Sequence, residues 1–195
     1  NKCIDVNKGR LPIVVGNGSN NTAEAIETTR QYEHLAIDGF LTVTPYYNKP
    51  TQRGMLHHFK AIADATAKPI ILYNVPGRTA VDLSNDTVME LMAIKNIVGI
   101  KDATGDLTRV KSLKQSNPEF ILLSGDDASS NDFLHLGGDG VISVTANIRP
   151  KEMSQLVKLS TKKQITEAFQ LDKKLSALHH DLFVEPNPVP VKWAL

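Results

Sequence analysis

Lys101 closes the apolar run of "IVGIKDATGD" (residues 97–106), and Gly105-Asp106 mark the turn that leaves it. A side chain at that position is expected to be largely shielded from water, where an ammonium costs several kcal/mol unless it is paired or neutralised. Two readings compete. In one, an interior lysine pairs with an acid such as Asp102, or stretches its head to solvent. In the other, desolvation disfavours the ammonium and leaves a neutral amine that attacks a ketone. The resulting iminium withdraws electrons from the adjacent carbon, a proton leaves, and an enamine forms without a metal or bound cofactor. Such chemistry needs a proton carrier within hydrogen-bond reach. Tyr73, in "ILYNVPGRT", ends the preceding apolar run and is the candidate, against a reading as a core aromatic with a satisfied hydroxyl. Arg78 follows the turn "NVPG"; it is either a solvated loop residue or a fork for a carboxylate. Tyr46 and Tyr47, in "TPYYNKP", have the character of interface residues.

Six apolar runs must position these groups: residues 11–18, 39–46, 69–76, 97–103, 120–127 and 140–147. Each is rich in β-branched residues with little polar alternation, the pattern of strands covered on both faces. Helical periodicity fills the gaps. Ala25, Ile26, Thr29, Tyr32 and Leu35 share one face, with Gly39 as a stop signal, and "QRGMLHHFKAIADAT" and "NDTVMELMAIK" behave likewise. This βα repetition predicts a parallel sheet with right-handed crossovers.

An open doubly wound sheet and a (β/α)8 TIM barrel are the competing architectures. "GNGSNN" supplies Gly16 and Gly18 but Asn21 where a dinucleotide fingerprint needs its third glycine. Polar residues at the ends of successive runs favour the barrel: Thr42 and Thr44, Tyr73 and Asn74, Lys101 and Asp102, Ser124 and Asp126, Ser143 and Thr145.

Net charge is +1, with no basic run or basic-aromatic interleaving of a nucleic-acid surface. No apolar stretch approaches the roughly 20 residues needed to span a bilayer, and no signal peptide is visible. Cys3 is the single cysteine, which excludes an intrachain disulfide and fits a reducing cytoplasm.

Several longer motifs resemble one family. "LTVTPYYNKP", "ILYNVPGRT", "GIKDATGDLTRV", "LLSGDDAS", "GVISVTAN" and "FVEPNPVPVKWA" are similar, in order, to the class I aldolase/lyase barrels of N-acetylneuraminate lyase and dihydrodipicolinate synthase, on the synthase side. The resemblance implies that Lys101 forms a Schiff base with pyruvate and that Tyr73 shuttles protons. It implies that Tyr47 joins that shuttle across a dimer interface and that Arg78 holds the carboxylate of aspartate semialdehyde. Gly125 and Ile142 would line the pyruvate pocket, the latter through its carbonyl. The product, 4-hydroxy-tetrahydrodipicolinate, would feed lysine synthesis. No cofactor beyond the covalent Schiff base and no catalytic metal are implied; a homodimer or homotetramer is. Asn20, Glu24 and Tyr46 match a family site for lysine as feedback inhibitor, although Glu24 also reads as an exposed first-turn acid.

The chain starts with Asn and ends at "VKWAL". The expectation is that it covers about strands 3–8, with the first two βα units and the C-terminal helices missing. Residues 1–183 would be partial barrel and residues 184–195 the start of a C-terminal segment. Asp102 stands where the family often carries Glu. "EPNPVPVKW" is read as too proline-rich for regular structure.

His57-His58 and His179-His180 are adjacent on helices, about 100° apart, and make no chelating face. Asp126-Asp127 are read as a cap for the following helix. N-acetylneuraminate lyase or another pyruvate aldolase, and a catalytically silent barrel binding a small acid, remain open alternatives.

Overall fold

The structure is a computed structural model that describes residues 2–195. In chain order its elements are α1 (Lys2–Asn7), β1 (Val14–Gly16), α2 (Thr22–Tyr32), β2 (Gly39–Val43), α3 (Gln52–Ala63), β3 (Ile70–Asn74), α4 (Pro76–Thr79), α5 (Asn85–Leu91), β4 (Ile97–Asp102), α6 (Thr108–Ser116), β5 (Ile121–Ser124), α7 (Ser130–His135), β6 (Gly140–Val141), α8 (Pro150–Thr161), α9 (Ile165–Asp181) and α10 (Val189–Ala194). A 3₁₀ turn, Thr145–Asn147, follows β6. All six expected runs yield strands, each shorter than the run that announced it. Their order in the sheet is β1-β2-β3-β4-β5-β6.

The chain groups into two compact units. The first holds the chain up to Ile100 together with Ser116–Ile121. Here β1, β2 and β3 pair in parallel, with Phe40 opposite Ile70 and Val43 opposite Tyr73. Ile70 N–H donates to the Asn96 carbonyl, which brings β4 alongside β3. Gly99 is required by close approach, because a Cβ there would stand 2.6 Å from the Ile121 carbonyl oxygen. Phe40, Ile70 and Leu72 from the strands, Met55, Phe59, Ile62 and Leu91 from the helices, and Leu83 from the segment before α5 are all essentially inaccessible to solvent. Side-chain caps start three helices: Asn21 accepts from Ala23 N–H, Thr51 from Gly54 N–H and Ser84 from Thr87 N–H. The helix over residues 22–32 stops short of the predicted Gly39, and Glu33–Asp38 form the turn into β2.

The second unit holds Lys101–Gln115 and Leu122–Leu195. Strands β5 and β6 pair in parallel, Leu123 opposite Gly140 and Ser124 opposite Val141. Gly125 N–H donates to the Asp102 carbonyl at 2.7 Å, setting the end of β5 beside the end of β4. Met153, Leu156, Ala168 and Leu175 form a core between α8 and α9, and Val141 and Leu171 pack on it. The proline-rich stretch differs from expectation. Val189–Ala194 is helical, with its proline in the first turn, where the missing N–H would be unsatisfied anyway.

Among the described residues no helix is long and apolar enough to cross a membrane, and no group of three or more His, Cys, Asp or Glu is placed to hold a metal. His57 and His58 diverge: His57 is exposed, while His58 is buried with its Nδ1 2.8 Å from Thr22 Oγ1. Burial holds the His58 imidazole down at about 4, so it is neutral at physiological pH.

Candidate active site

In the second unit, Lys101 is the penultimate residue of β4 and is 9% exposed, as the sequence demanded. Its aliphatic stem runs against Gly125. A Cβ at Gly125 would lie 2.8 Å from Lys101 Cε and 2.7 Å from Ala103 Cβ, so only glycine lets the stem pass. Gly125→Ala is therefore expected to displace the amine and lower kcat by about 100-fold, the scale of a misplacement near 1 Å. Steady-state rates beside an unchanged circular dichroism spectrum check this; wild-type kcat would refute it.

Asp102 is tied to the segment that follows it. Its Oδ2 accepts from Arg109 Nε at 2.7 Å in a buried ion pair, and its Oδ1 accepts from Thr104 N–H at 2.8 Å. Arg109 and Thr104 thus engage both oxygens of the carboxylate that the sequence places next to Lys101. The carboxylate anchors the turn after β4 to α6, where Arg109 lies.

Asp126 and Asp127 divide their work. Asp126 accepts from Ser129 N–H and Oγ in the turn ahead of α7, but the N-cap of α7 is Ser129, without a side-chain cap bond, so neither aspartate is the expected cap. Asp127 does something else: its Oδ2 accepts from Val144 and Thr145 N–H at 2.9 and 3.0 Å. It thus fixes the segment after β6, in which Ile142 N–H donates to the Ser124 carbonyl. Gly125 and Ile142 are in this way held by the same short frame. Thr145 Oγ1 extends the frame to the buried His179 Nδ1 at 2.7 Å.

In the first unit, Tyr73 lies on β3, half-buried, and its carbonyl accepts from Thr44 N–H at 2.9 Å. Burial pushes the Tyr73 phenol above the ordinary tyrosine value, and the positive charge of Arg78 opposes part of that rise. The phenol is therefore protonated at neutral pH and able to donate. Arg78 is exposed on the helical turn α4 just past the strand. Beneath them runs a buried polar ladder: Thr42 Oγ1 donates to Asn17 Oδ1 at 2.7 Å, and Asn17 Nδ2 donates to Thr29 Oγ1 at 2.8 Å.

Tyr47 is 86% exposed and adopts φ 74°, a left-handed conformation that is costly for a bulky residue. Its N–H donates to the Thr79 carbonyl, tying its loop to the one that carries Arg78. Asn20 bonds to Tyr46, and Glu24 bonds to Ser19, the residue before Asn20. Asn20 Nδ2 donates to the Tyr46 carbonyl at 3.1 Å, Asn20's carbonyl accepts from Asn48, and Ser19 Oγ donates to Glu24 Oε2 at 2.9 Å. Glu24 is exposed in the first turn of α2, so its dipole-favoured position and its place in this cluster coincide. A groove of about 600 Å³ along α1 and β1, lined by Cys3, Val6, Leu11 and Val14, contains none of these residues.

Sequence reasoning passed over the roles of Asp127, Arg109 and Asn74, whose partners lie seven to eighteen residues away along the chain. The visible signal was a polar residue at or near a strand end, as Asn74 is on β3 and Asp127 is three residues past β5.

A family model described as the dihydrodipicolinate synthetase family matches residues 1–195. A protein from Escherichia coli strain K12, "4-hydroxy-tetrahydrodipicolinate synthase", is 54% identical over 192 residues, covering 98% of this chain and 66% of that protein. Among solved structures, the chloride-inhibited dihydrodipicolinate synthase of Acinetobacter baumannii complexed with pyruvate superposes with a TM-score of 0.95 at 54% identity, over 98% of this chain and 66% of that one. The enzyme of Cyanidioschyzon merolae with lysine bound superposes with a TM-score of 0.92 at 40% identity, over 94% of this chain and 63% of that one. The chain spans 66% of the length of the curated relatives it matches.

Proposed function

The chain belongs to the dihydrodipicolinate synthetase family, and on that premise we propose that it condenses pyruvate with L-aspartate 4-semialdehyde to give 4-hydroxy-tetrahydrodipicolinate. The observation that carries the reading is a lysine buried at the end of a parallel strand, its stem passing over a glycine that admits nothing larger. The relative complexed with pyruvate supports the identity of the first substrate.

The neutral amine of Lys101 attacks the ketone carbon of pyruvate, and loss of water leaves an iminium. Loss of a methyl proton gives the enamine, whose carbon attacks the aldehyde of the second substrate; the aldehyde oxygen is protonated. The amino group of that substrate then attacks the iminium carbon, closing the ring and releasing Lys101. Every step moves a proton. Tyr73, held protonated by burial, is the donor, and it recovers its proton through Tyr47 from a second copy of the chain. The exposed, left-handed Tyr47 has the geometry of a residue completed by a homodimer or homotetramer partner. Arg78 takes the carboxylate of the semialdehyde in its fork, while Gly125 and the Ile142 carbonyl line the pyruvate pocket. No step calls for a metal or a bound cofactor, because the iminium is the electron sink. A cytoplasmic location fits this chemistry.

Turnover separates this reading from its neighbour in the fold. Aspartate semialdehyde should be consumed with pyruvate and N-acetylneuraminate left intact; cleavage of N-acetylneuraminate alone would reverse the assignment.

The cluster of Asn20, Glu24 and Tyr46 is proposed as a site for lysine as inhibitor, supported by the lysine-bound relative. Glu24→Ala should raise the lysine concentration needed for half-inhibition by about tenfold, as expected for the loss of one charge-assisted contact. Unchanged inhibition in the variant would dismiss the site.

A further inference from the structure

Arg78 sits on a helical turn of four residues, Pro76–Thr79. One turn does not hold itself, because nucleation fixes several dihedrals for a single hydrogen bond. Ala80, at φ 60°, reverses the chain, and residues 80–84 return without regular structure. Something else must fix where the guanidinium stands.

The brace comes from the last residue of β3. Asn74 has no solvent exposure. Its Nδ2 donates to Asp82 Oδ1 at 2.7 Å and its Oδ1 accepts from Leu83 N–H at 3.1 Å. One amide thus clamps two successive residues of the returning leg to the strand that bears Tyr73. An amide suits both partners, since it carries a donor and an acceptor on separate atoms of one short side chain. Leu83, fully buried, plugs the leg into the core. Gln52 takes the far end: its Nε2 donates to the Asp82 carbonyl at 2.7 Å and its Oε1 accepts from Ser84 N–H at 3.1 Å. On the near side, Thr79 Oγ1 reaches the carbonyls of Val75 and Val81, at 3.2 and 3.0 Å.

We infer that Asn74 is a positioning residue for the second half-reaction: by clamping Asp82 and Leu83 it fixes Arg78 where the carboxylate of the incoming aldehyde must bind. The inference rests on the function proposed above. Asn74 touches neither substrate, and the pyruvate half-reaction at Lys101 does not need it.

Replacement of the amide by a carboxylate tests this. Asn74→Asp keeps the acceptor for Leu83 N–H but sets an oxygen against the Asp82 carboxylate. The KM for aspartate semialdehyde should rise about ten- to a hundredfold, as for a binding group displaced by an ångström or so, with the rate of borohydride trapping of pyruvate unchanged. Asn74→Asp/Asp82→Asn exchanges donor and acceptor and should recover most of the lost KM. Should Asn74→Asp not fold, Asp82→Ala removes the acceptor for Asn74 Nδ2 and should raise the same KM while sparing trapping. An unchanged KM in the folded single variants, or trapping and KM failing together without recovery in the double variant, would overturn the inference. A wild-type protein that traps no pyruvate would instead overturn the function on which it rests.

Discussion

Lys101→Ala should lower turnover by a factor on the order of 10⁴ or more, as removal of a covalent nucleophile does in enzymes generally. Without the amine no iminium forms, and pyruvate has no route to a carbon nucleophile at neutral pH that the remaining groups supply. Lys101→Arg should fare no better, because a guanidinium does not lose its proton in proteins. The fold should tolerate the change. The lysine occupies a buried position where a cation is costly, so the stability of the alanine variant should stay within about 2 kcal/mol of the parent. Denaturant unfolding beside steady-state kinetics separates the two effects. Retention of activity by a folded Lys101→Ala protein would refute a Schiff-base role for that lysine.

Tyr73→Phe removes one hydroxyl and keeps the ring that packs on β3. The expected loss in kcat is about 10²- to 10⁴-fold, the range for a positioned general acid or base. The pH profile gives an independent reading. Burial raises the Tyr73 phenol above its ordinary value, and Arg78 draws it partly back. A group with a raised folded value keeps its proton to higher pH, so an activity that requires the neutral phenol should fall only above about pH 10, the unperturbed tyrosine value. The phenylalanine variant should lack that alkaline limb. Arg78→Ala should move the limb upward, since the opposing positive charge has gone, while raising the KM for the semialdehyde. A limb that stays in place in Tyr73→Phe would assign the titration to another group.

Much of this was legible in the residues. Near-continuous apolar runs announced strands buried on both faces, and β1 to β6 fall inside them. Lys101 stood out because its type was wrong for its surroundings, Tyr73 followed as the proton carrier at the end of the preceding run, and Gly125 entered only through the family resemblance. What the sequence concealed depends on where the chain folds back. Asp102 beside Lys101 suggested an ion pair, yet Arg109 claims that carboxylate because the turn after β4 returns α6 to it. Asn74 was visible only as one polar residue at a strand end; its two partners, Asp82 and Leu83, arrive from the far side of a reversal that no periodicity encodes. Asp127 looked like a helix cap and instead holds the segment after β6 from seventeen and eighteen residues away. The prolines of "EPNPVPVKW" suggested irregular chain, but Pro190 falls in a first turn, the part of a helix that admits it.

Borohydride reduction in the presence of pyruvate, followed by peptide mass spectrometry, addresses the chemistry with least inference. The account predicts one stable carboxyethyl adduct, on the peptide containing Lys101, formed only when pyruvate and reductant are both present. Recovery of that peptide unmodified, or an adduct on another lysine, would contradict it.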